Sequence, residues 1–178
     1  AKGTHLTIIW RHPYLFNRYE TAIKEINNLK TSTLTRFNTN IVKCSSLSKL
    51  TLSNDKQMNE RTMSQLSTTL STLELHASLY NVTFQSLDRL DNLVHLSLGK
   101  VKTTDRDLML LSNLESLKLT GYHSINVNKL DFLPKLRTLS LVNIESKPEE
   151  ALKLTQLTTL SLNYMGNVVD VSFIQHLI

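Results

Sequence analysis

The hydrophobic pattern of this chain changes its period within twelve residues. In the run LDFLPKLRTLSL, Leu130, Leu133 and Leu136 are spaced by three, which suits one face of a helical or 3₁₀ turn. Leu139 and Leu141 are spaced by two, as in a strand. The pattern therefore predicts a short apolar helix that runs into a short half-buried strand. Neither segment can cover its own hydrophobic side, so the unit needs neighbours to be stable.

The same arrangement recurs along most of the chain. The second strand leucine falls at positions 52, 75, 98, 119, 141 and 162, so successive copies are separated by 23, 23, 21, 22 and 21 residues. An LxxLxL motif repeated every 20–29 residues, roughly, is typical of leucine-rich repeats. The chain resembles a leucine-rich-repeat solenoid, and its copies are similar to the short repeats of internalins and phosphatase regulators. The resemblance covers residues 41–178 well and residues 1–40 poorly.

This resemblance implies an α/β fold with a curved, parallel β-sheet on the concave side and short helices or 3₁₀ turns on the convex side. The convex segments are predicted at 59–68, 84–90, 105–111, 127–133, 148–154 and 171–177. One departure from the family pattern is the missing Asn three residues after the second strand leucine. We expect that position to be filled by packing of the residues that replace it, which are Asp55, Ser78, Val101, Tyr122, Ile144 and Met165.

The repeats divide the chain into two regions. Residues 41–178 carry six regular copies and the start of a seventh, and we expect the array to be truncated, because Ile178 precedes the strand that should follow. Residues 1–40 contain a predicted strand at 5–9 and a predicted helix after Asn17. They form either one or two irregular repeats, the favoured interpretation, or a separate cap over the first coil.

The residues between and around the strand leucines are expected to line the concave side. Most are Ser or Thr, which β-propensity alone would select. The larger polar residues are therefore the candidate partner contacts: Lys49, Glu74, His76, His95 and Lys118 on the sheet, with Lys100, Tyr122, His123 and Tyr164 on its rim. For Tyr122, a place in the core is an equally good interpretation.

The formal net charge is +5, which permits a polyanionic partner without requiring one. The candidate anion or nucleic-acid contacts are Arg11, Arg18, Lys100, Lys102 and Arg106. Four aromatic residues crowd around the first two: Trp10, Tyr14, Phe16 and Tyr19. These rings could stack on a nucleic-acid strand or shield the end of the leucine core, and the second interpretation is favoured.

No catalytic signature emerges from the sequence. Ser97, His95 and Glu74 share the concave face, but the diagonal from Glu74 to His95 spans about 8 Å between backbones and no strained turn presents the serine. His76 and His95 lie on neighbouring predicted strands but are displaced by four positions along them, which is too far to share a metal ion. We therefore predict that the protein is not an enzyme and has no cofactor, metal or small-molecule substrate.

The single cysteine, Cys44, excludes an internal disulfide and favours an intracellular protein of the cytoplasm or nucleus. The sequon Asn81-Val82-Thr83 keeps an extracellular location open. No run of about eighteen apolar residues is present, so no membrane span is expected. The favoured function is a protein–protein interaction scaffold or partner-recognition domain within a larger protein, for example an adaptor or an F-box-type receptor. The alternative is binding of RNA or an anionic surface, as in mRNA-export factors.

Overall fold

A computed structural model of the protein describes residues 4–8, 29–34, 45–53, 60–76, 87, 89–100, 103–121, 125–144, 151, 153–164 and 167–171. These residues contain one sheet whose nine strands follow the order of the chain. The strands are β1 (Thr4–Ile8), β2 (Leu29–Leu34), β3 (Lys49–Leu52), β4 (Thr72–Leu75), β5 (His95–Leu98), β6 (Ser116–Thr120), β7 (Thr138–Val142), β8 (Thr159–Tyr164) and β9 (Asn167–Val171).

Strands β1 to β8 pair in parallel, each with the next one along the chain. A parallel connection must cross over to return the chain to the same end of the sheet. The crossovers carry short helices: α1 (Glu60–Met63), α2 (Asp105–Met109) and a 3₁₀ helix (Val127–Phe132). These three lie within predicted convex segments, and the α/β leucine-rich-repeat fold class predicted from the sequence is confirmed.

The strand leucines form two continuous rows across the sheet. The pairing aligns Leu50 with Leu73 and Leu73 with Leu96, and the alignment continues through Leu160. Every strand leucine from β3 to β8 is at most 2% exposed. Helix residues such as Leu108 and Leu130 cover these rows from the other side and are fully buried. Sheet and helices therefore share one leucine core, and the sheet surface facing away from it is named here the open face.

Backbone hydrogen bonds between successive coils fix this register. The Ser48 carbonyl oxygen accepts from the amides of Ser71 and Thr72, at 2.8 and 3.0 Å. The same double contact recurs where β5, β6, β7 and β8 begin. At the start of each of these strands, backbone amides donate to a carbonyl of the previous coil. The strands therefore keep their alignment, and repeats that differ in length by one or two residues differ in the segments between the strands.

A second set of hydrogen bonds joins successive coils ahead of the strands. Thr69, Asn92 and Asn113 each lie four residues before the first leucine of a strand. Each donates from its side chain to a backbone carbonyl of the previous coil, at 2.7, 3.0 and 2.7 Å respectively. At the old Asn position, Ile144 is 2% exposed, as the packing expectation required. The other five residues at that position lie outside the described part of the chain.

The turn after β6 depends on a glycine. Gly121 has a φ of +99°, and a Cβ built on it would lie 2.7 Å from the Lys100 Cγ. The corresponding residue after β7 is Asn143, with a φ of 54°. Asn tolerates the left-handed region better than most residues, so both turns use residue types that accept this backbone.

Both ends of the sheet differ from the regular repeats. At one end, β1 and β2 extend the parallel sheet from the first forty residues, and Ser32 takes a leucine position opposite Leu50. At the other end, β9 pairs antiparallel with β8, a strand that the leucine pattern did not predict. Val171, where the last of the six predicted convex segments was expected to begin, belongs to β9 instead. Whether residues 1–40 form irregular repeats or a cap stays a prediction. The expected truncation of the array after residue 178 stays a prediction as well.

Within the ranges given above, no helix has the length and apolar character needed to cross a membrane.

Candidate partner-binding site on the open face

The open face carries two rows of outward-facing residues, and both have the predicted register. The first row runs through Lys49, Thr72, His95, Ser116, Thr138 and Thr159. The second row runs through Thr51, Glu74, Ser97, Lys118, Ser140 and Ser161. Because side chains alternate between the two faces of a strand, burial of the leucines forces these residues outward. The larger polar side chains therefore stand among small hydroxyls.

Five of the predicted contact residues line a single depression of about 410 Å³. They are Lys49, Glu74, His76, His95 and Lys118, and the rest of the lining comes from Thr72, Leu96, Ser97 and Ser116. These residues come from four successive coils of the solenoid. The parallel register therefore gathers, on one surface, polar groups that are as far apart in sequence as Lys49 and Lys118.

Glu74 is the best-connected residue of the depression. Lys49 donates to Glu74 Oε1 with an N–O distance of 2.7 Å, and the Thr51 hydroxyl donates to Oε2 at 3.1 Å. His76 Nε2 lies 3.4 Å from the same Oε2. The Glu74 side chain is 27% exposed. The carboxylate is thus held from the neighbouring strand and from its own strand, and its orientation is set before any partner arrives.

The pKa of Glu74 reflects two opposed effects. Burial raises the pKa of its carboxyl, because it disfavours the charged form. The hydrogen bond and positive charge of Lys49, with the hydrogen bonds of Thr51 and His76, lower the pKa by more in total. The net pKa is below its ordinary value, so Glu74 is an anion at neutral pH.

His95 and Lys118 lie on the other side of Glu74 along the sheet. Both are exposed, and they are diagonal neighbours because His95 pairs with Ser116 and Ser97 pairs with Lys118. Among the described residues, no carboxylate oxygen lies within 4.0 Å of Lys118 Nζ. The depression therefore has a neutralised side, where Lys49 meets Glu74, and a cationic side that ends at Lys118.

The remaining predicted contacts do not join this cluster within the described residues. Lys100 is exposed and follows β5, where its side chain passes over Gly121. Arg106 is exposed on α2, on the helical side of the leucine core. Tyr122, His123, Arg11, Arg18 and Lys102 lie outside the described residues, as does the side chain of Tyr164 at the end of β8. That these basic residues form one anion-binding site therefore stays a prediction.

The geometry also bears on Ser97, His95 and Glu74 as a catalytic set. The carboxylate of Glu74 is engaged by Lys49, Thr51 and His76. Within the described part of the chain, no hydrogen bond links His95 to Glu74 or to Ser97, so no relay is assembled. No group of three potential metal ligands comes together among those residues either.

Sequence reasoning missed Thr51, because its residue type groups it with the small hydroxyls. It is 8% exposed and holds one oxygen of Glu74. The signal that could have identified it is its position in the repeat, because Thr51 occupies the same strand position as Glu74 one coil earlier. A hydroxyl directly opposite a carboxylate on a neighbouring strand is within reach of it.

Three similar solved structures identify the fold. Internalin C2 from Listeria monocytogenes is 22% identical, with a TM-score of 0.53 over 79% of this chain and 74% of that protein. A leucine-rich-repeat protein from Leptospira interrogans is 24% identical, with a TM-score of 0.55 over 77% of this chain and 38% of that protein. The plant peptide hormone receptor RGFR1, in complex with RGF2, is 19% identical, with a TM-score of 0.51 over 80% of this chain and 26% of the receptor.

These likenesses establish the leucine-rich-repeat fold for this chain. No protein-family model matches the sequence, and no curated protein matches it. The chain spans about three quarters of the solved internalin C2 chain but well under half of the other two solved chains.

Proposed function

We propose that this chain is a non-catalytic protein-binding module that recognises its partner with the open face of the sheet. The observation that carries the proposal is that five large polar side chains of the open face line one depression of about 410 Å³. A partner seated there would contact four coils at once, which is how solenoids use their extended surfaces. A peptide hormone receptor solved with RGF2 has the same fold, and this precedent for binding is an analogy at the level of the fold.

The contact between Lys49 and Glu74 also supports recognition. Lys49 and Glu74 lie on strands whose leucines are fully buried, and each holds the other in place. Ordering a long side chain at an interface opposes binding by about 0.5–1.5 kcal/mol. Because this ordering already exists in the free protein, a partner meets a preformed surface.

The proposal also covers the protein in which the module occurs and its location in the cell. We place it within a larger protein or complex, as an adaptor or an F-box-type receptor. The receptor RGFR1, of which this chain covers 26%, gives a precedent for such repeats inside a longer protein. The single cysteine supports a cytoplasmic or nuclear location, since no internal disulfide can form.

Binding of RNA or an anionic surface has less support than protein binding. Among the described residues of the depression, Lys118 is the one ammonium without a carboxylate partner, whereas a phosphate backbone presents a charge at every nucleotide. Phe, Tyr and Trp side chains, on which unpaired bases stack, do not occur among the outward-facing residues of the described β3 to β7, where the one aromatic ring is the imidazole of His95. The net charge of +5 is the observation that favours RNA binding.

The test fills the depression and asks whether the partner is lost. Ser97→Tyr places a neutral ring in the depression, and Asn128→Tyr places the same ring on the exposed surface of the 3₁₀ helix. Proteins retained from native extract by the wild type and both variants would be compared by quantitative mass spectrometry. Circular dichroism melts would verify that both variants fold.

We expect the partner recovered with the wild type to be retained by Asn128→Tyr and lost by Ser97→Tyr, with affinity reduced about tenfold or more, as for loss of a central contact. Equal retention by both variants would exclude the open face. A partner whose capture falls steeply between low and physiological salt, and which proves to be RNA, would favour the alternative function.

A further inference from the structure

We infer that the cationic side of the depression binds a side-chain carboxylate of the partner, so that the occupant is an extended acidic segment of a protein. This inference rests on the proposed function, because it specifies which chemistry the open face recognises. It is carried by the difference between the two sides of Glu74, which the strand pairing and the hydrogen bonds define.

The side formed by Lys49 is already satisfied. Its ammonium lies 2.7 Å from Glu74 Oε1, and the other oxygen of Glu74 has contacts from Thr51 and His76. A partner cation would have to compete with Lys49 for Glu74, and a partner anion would have to compete with Glu74 for Lys49. Neither exchange produces much net attraction, so this side of the depression contributes little to the affinity for a charged partner.

The side formed by His95 and Lys118 is unsatisfied. Lys118 is exposed, and within the described ranges no acidic oxygen is near enough to form an ion pair with it. His95 and Lys118 are diagonal neighbours on adjacent strands, and such diagonals span about 7–8 Å. One carboxylate seated above Ser97 can therefore accept from the Lys118 ammonium and from an N–H of His95, which a neutral imidazole also carries.

The shape of the site favours an internal segment of a chain over a chain end. The row of hydroxyls continues beyond the depression, through Thr138 and Ser140 to Thr159 and Ser161. A peptide that crosses the strands would leave the depression over this neutral, hydrogen-bonding row. The depression also holds two lysine ammonium groups but only one carboxylate, so a single added carboxylate balances the charges of its lysines.

A peptide-display selection tests this inference with a defined probe, a library of random peptides about nine residues long, sized to cross several strands at their usual spacing. The library would be selected against the wild type, Lys118→Glu, and Lys129→Glu as a matched control. Lys129 is exposed on the 3₁₀ helix, so its substitution makes the same change of charge on the helical side of the core.

We expect Asp and Glu to be enriched in peptides selected by the wild type and by Lys129→Glu, and not in those selected by Lys118→Glu. For an enriched synthetic peptide, Lys118→Glu should weaken binding about tenfold or more, the usual consequence of losing a hydrogen bond between charged groups. His95→Ala should weaken binding of the same peptide by a smaller factor, and each variant should keep the wild-type melting curve.

Other results would overturn the inference. Selected peptides without acidic residues, acidic peptides that bind Lys118→Glu as well as the wild type, or no enriched peptide would each do so. So would a labelled oligouridylate that displaces the peptides and needs Lys118, since the occupant would then be nucleic acid. The proposed function fails separately, when Ser97→Tyr leaves capture of the native partner unchanged. Loss of that capture with non-acidic selected peptides keeps the function and removes only the acidic specificity.

Discussion

Lys49 and Glu74 form an ion pair along a diagonal of the sheet. Lys49 pairs directly with Thr72, and Glu74 pairs directly with Thr51, yet the Lys49 ammonium and the Glu74 carboxylate are 2.7 Å apart. The lysine thus leans along the sheet, while the hydroxyl of Thr51 completes the carboxylate's contacts at 3.1 Å. This relationship joins two coils through side chains on the open face, independently of the leucine core.

The first prediction concerns pH. Because the pKa of Glu74 is below its ordinary value, folding is stabilised above the unfolded-state pKa, and that stabilisation is lost as pH falls through the lower, folded-state pKa. Glu74→Gln should reduce the free energy of unfolding by about 0.2–1 kcal/mol at pH 7, the range measured for exposed ion pairs. Urea melts at neutral pH and well below the ordinary carboxyl pKa should show the difference shrinking toward zero on acidification.

Glu115→Gln is the control for this measurement, since Glu115 is exposed at the start of a strand. It should have little effect at either pH. A destabilisation by Glu74→Gln that is as large in acid as at neutrality would mean that the Lys49 contact is not its source.

The second prediction concerns the leucine rows. Leu117 is fully buried and its strand lies between two other coils, so Leu117→Ala should reduce the free energy of unfolding by roughly 2–5 kcal/mol. Leu110→Ala makes the same deletion at a residue that is 49% exposed and should change stability by less than about 0.5 kcal/mol. Denaturant melts of the two variants measure the contrast, and similar losses would argue against a core centred on the strand leucines.

The third prediction concerns Ser32, which interrupts a leucine row. Its side chain is fully buried, and among the described residues its Oγ has no hydrogen-bond partner. Ser32→Ala removes a buried hydroxyl that was stripped of water without compensation, so it should stabilise the protein by about 1 kcal/mol. Thermal melts would compare it with Ser116→Ala on the open face, where little change is expected. A loss of stability in Ser32→Ala would mean that the hydroxyl has a partner.

The fourth prediction concerns the turn at Gly121. An alanine there must adopt a φ of +99° and bring its Cβ within 2.7 Å of the Lys100 Cγ. Gly121→Ala should therefore destabilise the protein by about 1–3 kcal/mol, as expected for a strained backbone. Gly99→Ala is the matched control, because Gly121 has the only positive φ among the described glycines. Equal melting temperatures for the two variants would show that the turn relaxes without strain.

Residue spacing was sufficient to predict the sheet and most of the depression. Because side chains alternate along a strand, a shift of one residue would expose every leucine, so Leu73 must align with Leu96 and Leu117. The same alignment brings Glu74, Ser97 and Lys118 into one row, since each lies directly after the first leucine of its strand. The lining of the depression could therefore be predicted from the same pattern that forms the core.

One end of the sheet could not be predicted in this way, whereas the other end had a partial signal. Strand β9 has no leucine motif and pairs antiparallel with β8, a choice that depends on backbone groups left open at the last coil. Ser32, by contrast, enters a leucine row where the spacing of Leu29, Ser32 and Leu34 matches the repeat with one leucine replaced, and the pairing of Ser32 with Leu50 agrees with that match.

By itself, the sequence determined the repeat, the parallel register and the polar face, because burial of regularly spaced leucines permits only one arrangement of their neighbours. The tertiary structure alone decided which of those neighbours bond. Lys49 could have extended into solvent or toward any nearby acceptor, and the contact with Glu74 depends on side-chain torsions and on the presence of Thr51. Spacing along the chain determines which residues are neighbours, whereas three-dimensional packing determines which neighbour satisfies which charge. Among the described residues, that packing pairs Lys49 with a carboxylate and leaves Lys118 without one.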